Sequence, residues 1–459
     1  MVVESSMEKE KFYGVVNKLI LPLFTGSYLA GEEGSTNRDS EVAYGKQNTL
    51  LIKPSKNDDY RIVMKRGRAF QQFEMNLLRI ALKELNDISD LKILDSNYER
   101  VLQQKAIEKA ICQSISAATA QTMLGLITEM DSWSNRTYEG RKPTFGLIIN
   151  QTDLDEEEKT VHYVDILNKA FVALLSNGKN SYIEFDREGY LMGYLSLSKV
   201  RTYVTTAPNE YEYIARYCNE RRIGIVLTEN GDLLVFRNRS LMFAKRRGIW
   251  NVYSHEEVIQ LLSHRSNSLK DIRRSIYFTA LDCSFAYTGG ILIYLNKDMA
   301  DNALLTINAK DILSEEYYEQ KKALELDEAG KLYNVATAVE TRKLYDCSYE
   351  EFLEKHNCYK TKCLRTIIAG RKFHELTRRL REELVAMDGA TVIDFDGSII
   401  AVGAILKIDA GSNEGGRLAA ATNLAKYGVA IKISQDGNMQ GFCQDKKNPS
   451  VAKLLFTVN

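Results

Sequence analysis

Proline, net charge and long hydrophobic runs are what this sequence has little of. Five prolines among 459 residues leave no room for a collagen-like or proline-rich segment. The 61 basic and 61 acidic residues cancel, whereas a general binder of the nucleic-acid backbone usually carries a basic excess. The apolar run 19–24 contains Pro22 and is too short to cross a bilayer. We therefore expect no membrane span and no general nucleic-acid binding.

Cysteines are few and scattered, and no two of them form a CxxC pair. The seven are Cys112, Cys218, Cys283, Cys347, Cys358, Cys363 and Cys443. An odd number without paired spacing is typical of free thiols in a reducing compartment. His356 lies close to Cys358 and Cys363, but this spacing fits no common zinc pattern. We therefore expect a cytoplasmic protein without a structural metal.

The composition is that of a globular protein, with 44% hydrophobic and 27% charged residues. At roughly 150 residues per domain, the length suggests about three domains. Residues 1–135 are predicted to be mostly helical, because segments 70–85 and 98–130 place apolar residues at helical spacing. The polar stretch 26–46 contains Gly and Ser but has no GKS or GKT ending. We interpret it as a surface loop rather than a phosphate-binding loop.

Short β runs separated by turn signals replace the helices from Pro143 onward. The predicted strands between residues 136 and 250 are 145–150, 182–185, 190–197, 223–228 and 233–236. Those between 251 and 459 are 290–295, 391–394, 399–406 and 429–434, with a charged helical insert at about 313–386. The sequence therefore predicts the α/β fold class. An α-helical N-terminal region (1–135) precedes two related α/β segments (136–250 and 251–459), each with a mixed β-sheet flanked by helices.

The two α/β segments repeat each other in sequence. Three pairs of stretches match in the same order: 145–149 with 289–293, 182–193 with 392–403, and 214–228 with 421–434. Within the second pair, Phe185-Asp186 matches Phe395-Asp396. The third pair is followed in each copy by a turn, which ends at Gly231 or Gly437. Matches in this order predict an internal duplication.

Asp388, Gly389 and Ala390 are the first candidate site. The acidic residue lies between a basic helix and a buried strand, and its two small neighbours would let a ligand or a metal approach the carboxylate. The alternative is that Gly389 stops the helix and Asp388 is an ordinary polar terminus.

The second candidate is the glycine-rich turn 411–417, which feeds a helix of small residues. Unpaired backbone N–H groups at a helix start favour an anion, and Arg417 would add a forked donor that suits phosphate oxygens. The alternative is a flexible hairpin before a tightly packed helix.

These two stretches resemble the diadenylate cyclase domain, the ATP-condensing domain also found at the amino terminus of the DNA-integrity scanning protein. The resemblance is clearest over 387–442 and extends weakly back to 275–295. In that family an Asp-Gly-Ala motif opens a key strand, and a Gly-Thr-Arg-His-Arg motif starts a helix over the phosphates. A Ser near acidic residues follows a later strand. The matching stretches here are 388–390, 415–419 and Ser434 with Asp436.

The sequence departs from the family in the basic motif. Arg417 matches the first arginine, but Leu418 and Ala419 replace the histidine and the second arginine. In the family reaction two ATP-loaded sites face each other. The Asp and its metal activate a ribose hydroxyl, and the basic motif stabilises phosphate charge. Losing both groups would cost on the order of a thousand-fold or more in rate. In the first α/β segment, Asn177–Ser181 stands where Asp-Gly-Ala would be.

The resemblance therefore implies a catalytically degenerate sensor of ATP or a cyclic (di)nucleotide in bacterial signalling or defence. The residues that it implies for nucleotide binding are Asp388, Gly389, Ala390, Gly415, Gly416, Arg417 and Ser434. Asp388 would also contact Mg or Mn that arrives with the nucleotide, and it would be catalytic if the chain is active. A second copy of the chain or an effector protein is the implied partner. Two alternatives stay open: an active divergent diadenylate cyclase that condenses two ATP into cyclic di-AMP, and a structural adaptor.

Overall fold

The computed structural model describes residues 9–89, 96–197, 204–263, 270–331, 335–406, 416–445, 447–448 and 451–459. Over these residues the chain is a mixed α/β protein with an N-terminal helical stretch, as the sequence predicts. It divides into an N-terminal unit, Met1–His255, and a C-terminal unit, Glu256–Asn459. None of the helices in the described part of the chain combines the length and hydrophobicity that a membrane crossing requires.

Helices make up most of the beginning of the N-terminal unit, because their apolar residues recur at helical spacing. Leu77, Leu78 and Ala81 are fully buried on one such helix, which packs against the next. The helices of this unit are α1 (Lys9–Val15), α2 (Leu21–Leu23), α3 (Gln72–Ser89), α4 (Ser96–Ile115), α5 (Ala120–Trp133), α6 (Tyr163–Ile166), α7 (Val172–Leu175) and α8 (Glu212–Tyr217). A π-helical turn, Val16–Ile20, joins α1 to α2.

A four-stranded antiparallel sheet lies between α2 and α3, where the sequence had predicted mostly helix. Its order is β1-β4-β3-β2, with β1 (Tyr28–Gly34), β2 (Val42–Tyr44), β3 (Thr49–Ile52) and β4 (Tyr60–Lys65). The stretch 26–46, predicted to be a surface loop, contains β1 and β2. β1 is exposed along nearly its whole length, so backbone pairing with β4 holds it in place. Such a strand has no apolar alternation by which it could be predicted.

A seven-stranded sheet completes the N-terminal unit. Its strands are β5 (Phe145–Asn150), β6 (Ser181–Phe185), β7 (Leu191–Ser196), β8 (Arg222–Leu227), β9 (Leu233–Arg237), β10 (Ser240–Arg246) and β11 (Ile249–Val252). The first five lie close to the predicted strands, because each is a short, largely apolar run bounded by turn residues. Of these, β5, β6, β8 and β9 contribute buried side chains to the core of this unit together with α3, α4 and α5, whereas β7 is only partly buried.

The C-terminal unit has one six-stranded sheet. Its strands are β12 (Gly290–Leu295), β13 (Ala390–Ile393), β14 (Ile399–Ala404), β15 (Gly428–Ile433), β16 (Met439–Gln444) and β17 (Ala452–Val458). The helices are α9 (His255–Leu261), which starts at the unit boundary, α10 (Lys270–Phe285), α11 (Ala300–Thr306), α12 (Glu315–Lys331), α13 (Val335–Leu344), α14 (Tyr349–Lys355), α15 (Tyr359–Ile368), α16 (Arg378–Val385) and α17 (Gly416–Leu424).

The predicted helical insert is present between β12 and β13, where α12 to α16 lie. Buried aromatic side chains pack its helices together. The ring centroid of Tyr318 lies 4.8 Å from that of Tyr349 and 5.0 Å from that of Phe352. These side chains belong to the same hydrophobic core as residues of the six-stranded sheet, so the insert packs onto that sheet.

The two larger sheets share one topology. Their orders are β7-β6-β5-β8-β9-β10, with β11 added beyond β10, and β14-β13-β12-β15-β16-β17. Each sheet has one parallel pair, formed by its first two strands in the sequence: β5 with β6, and β12 with β13. Both sheets also have a register shift at the equivalent position. Met242 in β10 and Leu455 in β17 each lack a pairing partner on the neighbouring strand. The two units are related in fold, as the internal repeat predicts.

The registers correct one detail of the sequence repeat. In the hairpin after β6, the Asp186 N–H donates to the Tyr190 carbonyl oxygen (2.8 Å). In the hairpin after β13, the Asp394 N–H donates to the Ser398 carbonyl oxygen (2.8 Å). Asp186 is therefore the counterpart of Asp394. The predicted match of Asp186 with Asp396 is wrong by two residues. The turn hydrogen bonds, and not the shared Phe-Asp sequence, show which residues are equivalent.

Candidate functional site

Three neighbouring strands bring the candidate site together at one edge of the C-terminal sheet. β13 begins there with Ala390, which pairs with Ile291 of β12. Ile291 pairs in turn with Lys432, close to the end of β15. Side chains at these three positions lie side by side across the sheet, and α17 lies against β12 and β15.

A cavity of about 530 Å³ opens at this edge. Its polar and small lining residues are Asp388, Gly389, Ala390, Gly416, Arg417 and Lys432. Apolar side chains line the remainder: Ile291, Ala404, Ile405, Leu406, Leu418 and Ala420. Five of the seven residues predicted to bind nucleotide therefore share one cavity. Of the other two, Ser434 does not line it, and Gly415 lies outside the described residues.

Gly389 has a backbone conformation that needs glycine. Its φ is +105°, and a Cβ atom at this position would lie 2.5 Å from the carbonyl carbon of Gly403. α16 ends at Val385 and its C-cap is Ala386, so Gly389 does not cap that helix. It lets the start of β13 approach the end of β14.

Asp388 presents an exposed carboxylate at the cavity. Within the described part of the chain, this carboxylate takes part in no hydrogen bond and no ion pair. A carboxylate without a protein partner can accept hydrogen bonds from a hydroxyl group or coordinate a hard cation.

Arg417 is the second residue of α17, and its guanidinium lies against Gly289 at the edge of the sheet. A Cβ atom at Gly289 would lie only 2.1 Å from Arg417 Nη1, so the absence of a side chain there makes room for the guanidinium. Among the described residues, Arg417 makes no hydrogen bond and no ion pair. Its donors are available to an anion in the cavity.

Lys432 and Lys360 are basic residues of this edge that the sequence reasoning missed. Lys432 lines the cavity, and its Nζ has only a long contact to Gln440 Oε1 (3.4 Å). Lys360 Nζ donates to the Gly403 carbonyl oxygen and to Asp311 Oδ1, both at 2.7 Å. The one signal for Lys432 was a lysine inside the apolar strand GVAIKI.

Ser434 instead belongs to the turn after β15. Its N–H donates to the Asn438 carbonyl oxygen (2.9 Å), and its carbonyl oxygen accepts from the Gly437 N–H (2.8 Å). The turn Thr228–Asp232 has the same two hydrogen bonds in the N-terminal unit. Ser434 therefore has a position in the turn that both units share.

Two further carboxylates lie at the opposite end of β13 and are already engaged. Burial raises the pKa of Asp394, whose Oδ2 accepts a hydrogen bond from the Tyr317 hydroxyl (2.8 Å). Asp396 Oδ2 accepts from Lys372 Nζ (2.7 Å). These contacts join the hairpin after β13 to the helical insert.

A metal at the cavity would have one protein carboxylate, that of Asp388. Across the described ranges, no group of three or more His, Cys, Asp or Glu side chains could hold an ion. Mg²⁺ commonly binds through one or two carboxylates together with substrate phosphates. The residues present fit an ion that arrives with a phosphorylated ligand, with Asp388 as its protein contact.

Comparison with known proteins identifies no family for this chain. No protein-family model matches it, and no curated protein sequence matches it significantly.

Proposed function

We propose that the C-terminal unit binds a nucleotide, either ATP or a cyclic dinucleotide, and acts as a sensor in bacterial signalling or defence. The observation that carries this proposal is the cavity at which Asp388, Arg417 and Lys432 converge from three different parts of the fold. Its volume of about 530 Å³ lies within the usual range for small-molecule sites. A cytoplasmic location, with a second copy or an effector protein as partner, belongs to the same proposal.

The lining residues divide by chemistry in the way that a nucleotide requires. Arg417 and Lys432 supply positive charge for phosphate oxygens, and α17 begins at Gly416, where the helix dipole favours an anion. The Asp388 carboxylate can accept from a ribose hydroxyl or contact a magnesium or manganese ion. Ile291, Ile405 and Leu406 offer apolar surface to a base.

The two residues that follow Arg417, Leu418 and Ala419, favour a sensor over an enzyme. Leu418 lines the cavity where the resembled family has a histidine, and Ala419 is buried where it has a second arginine. Neither replacement can stabilise a developing phosphate charge. The remaining residues suit binding better than they suit transfer of a phosphoryl group.

Arg417→Ala is expected to weaken nucleotide binding about 10- to 150-fold, because a charge-assisted hydrogen bond contributes about 1.5–3 kcal/mol. Isothermal titration of the full chain with ATP and with cyclic di-AMP measures the change. Gly289→Ala should also weaken binding, since its methyl group would displace the guanidinium.

Lys426→Ala is the matched control for this experiment. Lys426 lies nine residues after Arg417 and does not line the cavity, so its removal should leave the affinity unchanged. Equal affinity of the Arg417→Ala variant and the unaltered chain would remove Arg417 from the site.

The enzyme alternative requires a different measurement. The purified chain is incubated with labelled ATP and Mg²⁺ or Mn²⁺, and the products are separated. A sensor yields no cyclic dinucleotide. A cyclic product that disappears in Asp388→Asn would instead establish an active divergent diadenylate cyclase. Absence of a melting shift with every nucleotide of a panel would favour the structural adaptor.

A further inference from the structure

The related sheet of the N-terminal unit has an edge equivalent to that of the cavity. Leu147 pairs with Ile183 where Leu292 pairs with Thr391. By this register the counterpart of Ala390 is Tyr182. The remaining correspondences at this edge are Gly146 for Ile291, Asn180 for Asp388 and Val226 for Lys432.

Tyr182 occupies this edge in the N-terminal unit. Its side chain is fully buried and lies over Gly146, where a Cβ atom would be 2.4 Å from Tyr182 Cε1. Its hydroxyl lies 2.8 Å from the Gly178 carbonyl oxygen and 2.9 Å from that of Lys179, to which it donates. The ring is therefore held at both its face and its tip.

The loop before Tyr182 satisfies its own polar groups. Asn177 Oδ1 accepts from the backbone N–H groups of Lys179 (2.9 Å), Asn180 (3.0 Å) and Ser181 (3.2 Å). Asn180 Oδ1 accepts from Asn177 Nδ2 (2.8 Å). By contrast, the Asp388 carboxylate has no partner among the described residues.

Charge is lost at the same edge. Val226 stands at the position of Lys432, and its side chain packs beside Gly178. The three positions that are acidic, small and basic in the C-terminal unit are thus an amide, a tyrosine and a valine in the N-terminal unit. At these three positions the N-terminal unit has neither the open space nor the charges of the C-terminal cavity. A cavity of about 670 Å³ lies beside them, lined by Arg141, Lys142 and Ser181, but Tyr182 does not line it.

We infer that the chain binds one nucleotide, in the C-terminal unit alone, because Tyr182 fills in the N-terminal unit the space that Ala390 leaves open. This inference rests on the proposed function. It assigns Ala390 and Tyr182 as the residues that decide which unit has an open site.

Titration of the full chain with ATP and with cyclic di-AMP tests this inference. One equivalent should bind. Ala390→Tyr should abolish measurable binding, because the tyrosine side chain would enter the cavity. Tyr182→Phe is the matched control, because it retains the ring that fills the N-terminal edge, and its affinity and stoichiometry should match those of the unaltered chain.

The outcomes separate the two proposals. If the unaltered chain binds no nucleotide, both the proposed function and this inference fail. If it binds two equivalents, or if a folded Ala390→Tyr variant binds as the unaltered chain does, nucleotide binding stands and the inference is overturned.

Photolabelling of the unaltered chain keeps the test independent of whether Ala390→Tyr folds. After irradiation with 8-azido-ATP and digestion, mass spectrometry should find the label in peptides within 387–432 or in the peptide that contains Ile291. Label that unlabelled ATP competes away from 136–197 would place a site in the N-terminal unit and contradict the inference.

Discussion

Arg66 and Glu74 form a fully buried ion pair in the N-terminal unit, with side chains 1% and 0% exposed. The guanidinium binds the carboxylate with two hydrogen bonds, Nη1 to Oε1 (2.9 Å) and Nη2 to Oε2 (2.6 Å). Ser254 Oγ and the Gln71 N–H also donate to this carboxylate, both at 2.7 Å. Every oxygen of the buried acid is therefore satisfied, which is the condition under which a buried pair is tolerated.

Glu74→Gln is expected to lower the free energy of unfolding by about 3–5 kcal/mol, because it leaves a buried guanidinium without its counter-charge. Urea unfolding followed by circular dichroism measures the loss. Glu156→Gln is the control, since Glu156 is 87% exposed in its pair with Lys159, and the midpoint should not move. An unchanged midpoint in Glu74→Gln would show that the pair contributes nothing to stability.

At the scale of single residues, the sequence predicts the cavity only in part. Asp388, Gly389 and Ala390 are adjacent in the chain, so a local motif reveals them. Lys432 joins them only because β15 pairs with β12, and strand pairing cannot be read from a lone lysine. Residues brought together by pairing are those that sequence reasoning misses.

Among the elements, the start of β13 is tightly constrained by the backbone of β14. Gly389→Ala is expected to destabilise the C-terminal unit by about 1–3 kcal/mol, since a Cβ atom there would meet the Gly403 backbone at a φ of +105°. Thermal unfolding measures it.

Gly330→Ala is the control for that substitution. Gly330 lies near the end of α12, and a Cβ atom there meets nothing within 4 Å. Alanine in a helix is favoured over glycine by about 0.5–1 kcal/mol, so the melting temperature should stay the same or rise. Equal effects of the two substitutions would contradict a special backbone role for Gly389.

Strands differ in how far the sequence predicts them. β12, β13 and β15 lie within one residue of their predicted bounds at every end, because continuous apolar runs form buried strands. The sequence did not predict β1 and β17, since exposed residues interrupt their patterns. It did not predict β2, β3, β4, β10, β11 or β16 either. The predicted match between the hairpins after β6 and β13 was wrong by two residues. Hydrogen bonds in the turns, and not the identical Phe-Asp pairs, determine which residues correspond.

For the whole molecule, each of the two units has its own large sheet, of seven or six strands, and its own buried core. Units of this kind usually unfold as separate cooperative steps. Gly389→Ala should therefore raise amide hydrogen exchange in β12 to β16 while β5, β8 and β9 keep their protection.

Glu74→Gln should give the reverse pattern, with faster exchange confined to the N-terminal unit. Hydrogen exchange with mass spectrometry of both variants compares the two. If either substitution raises exchange equally in both sheets, the chain unfolds as one cooperative body instead.

The repeated sheet has an evolutionary consequence. Strand pairing uses backbone groups alone, so the same frame accepts an open edge or a filled one without rearrangement. The open edge of the C-terminal unit and the filled edge of the N-terminal unit differ at three positions. One has alanine or tyrosine, and the other two are charged only in the C-terminal unit. A lineage that carries two copies of this frame can therefore lose or regain a pocket through a few codon changes, while the other copy preserves the fold.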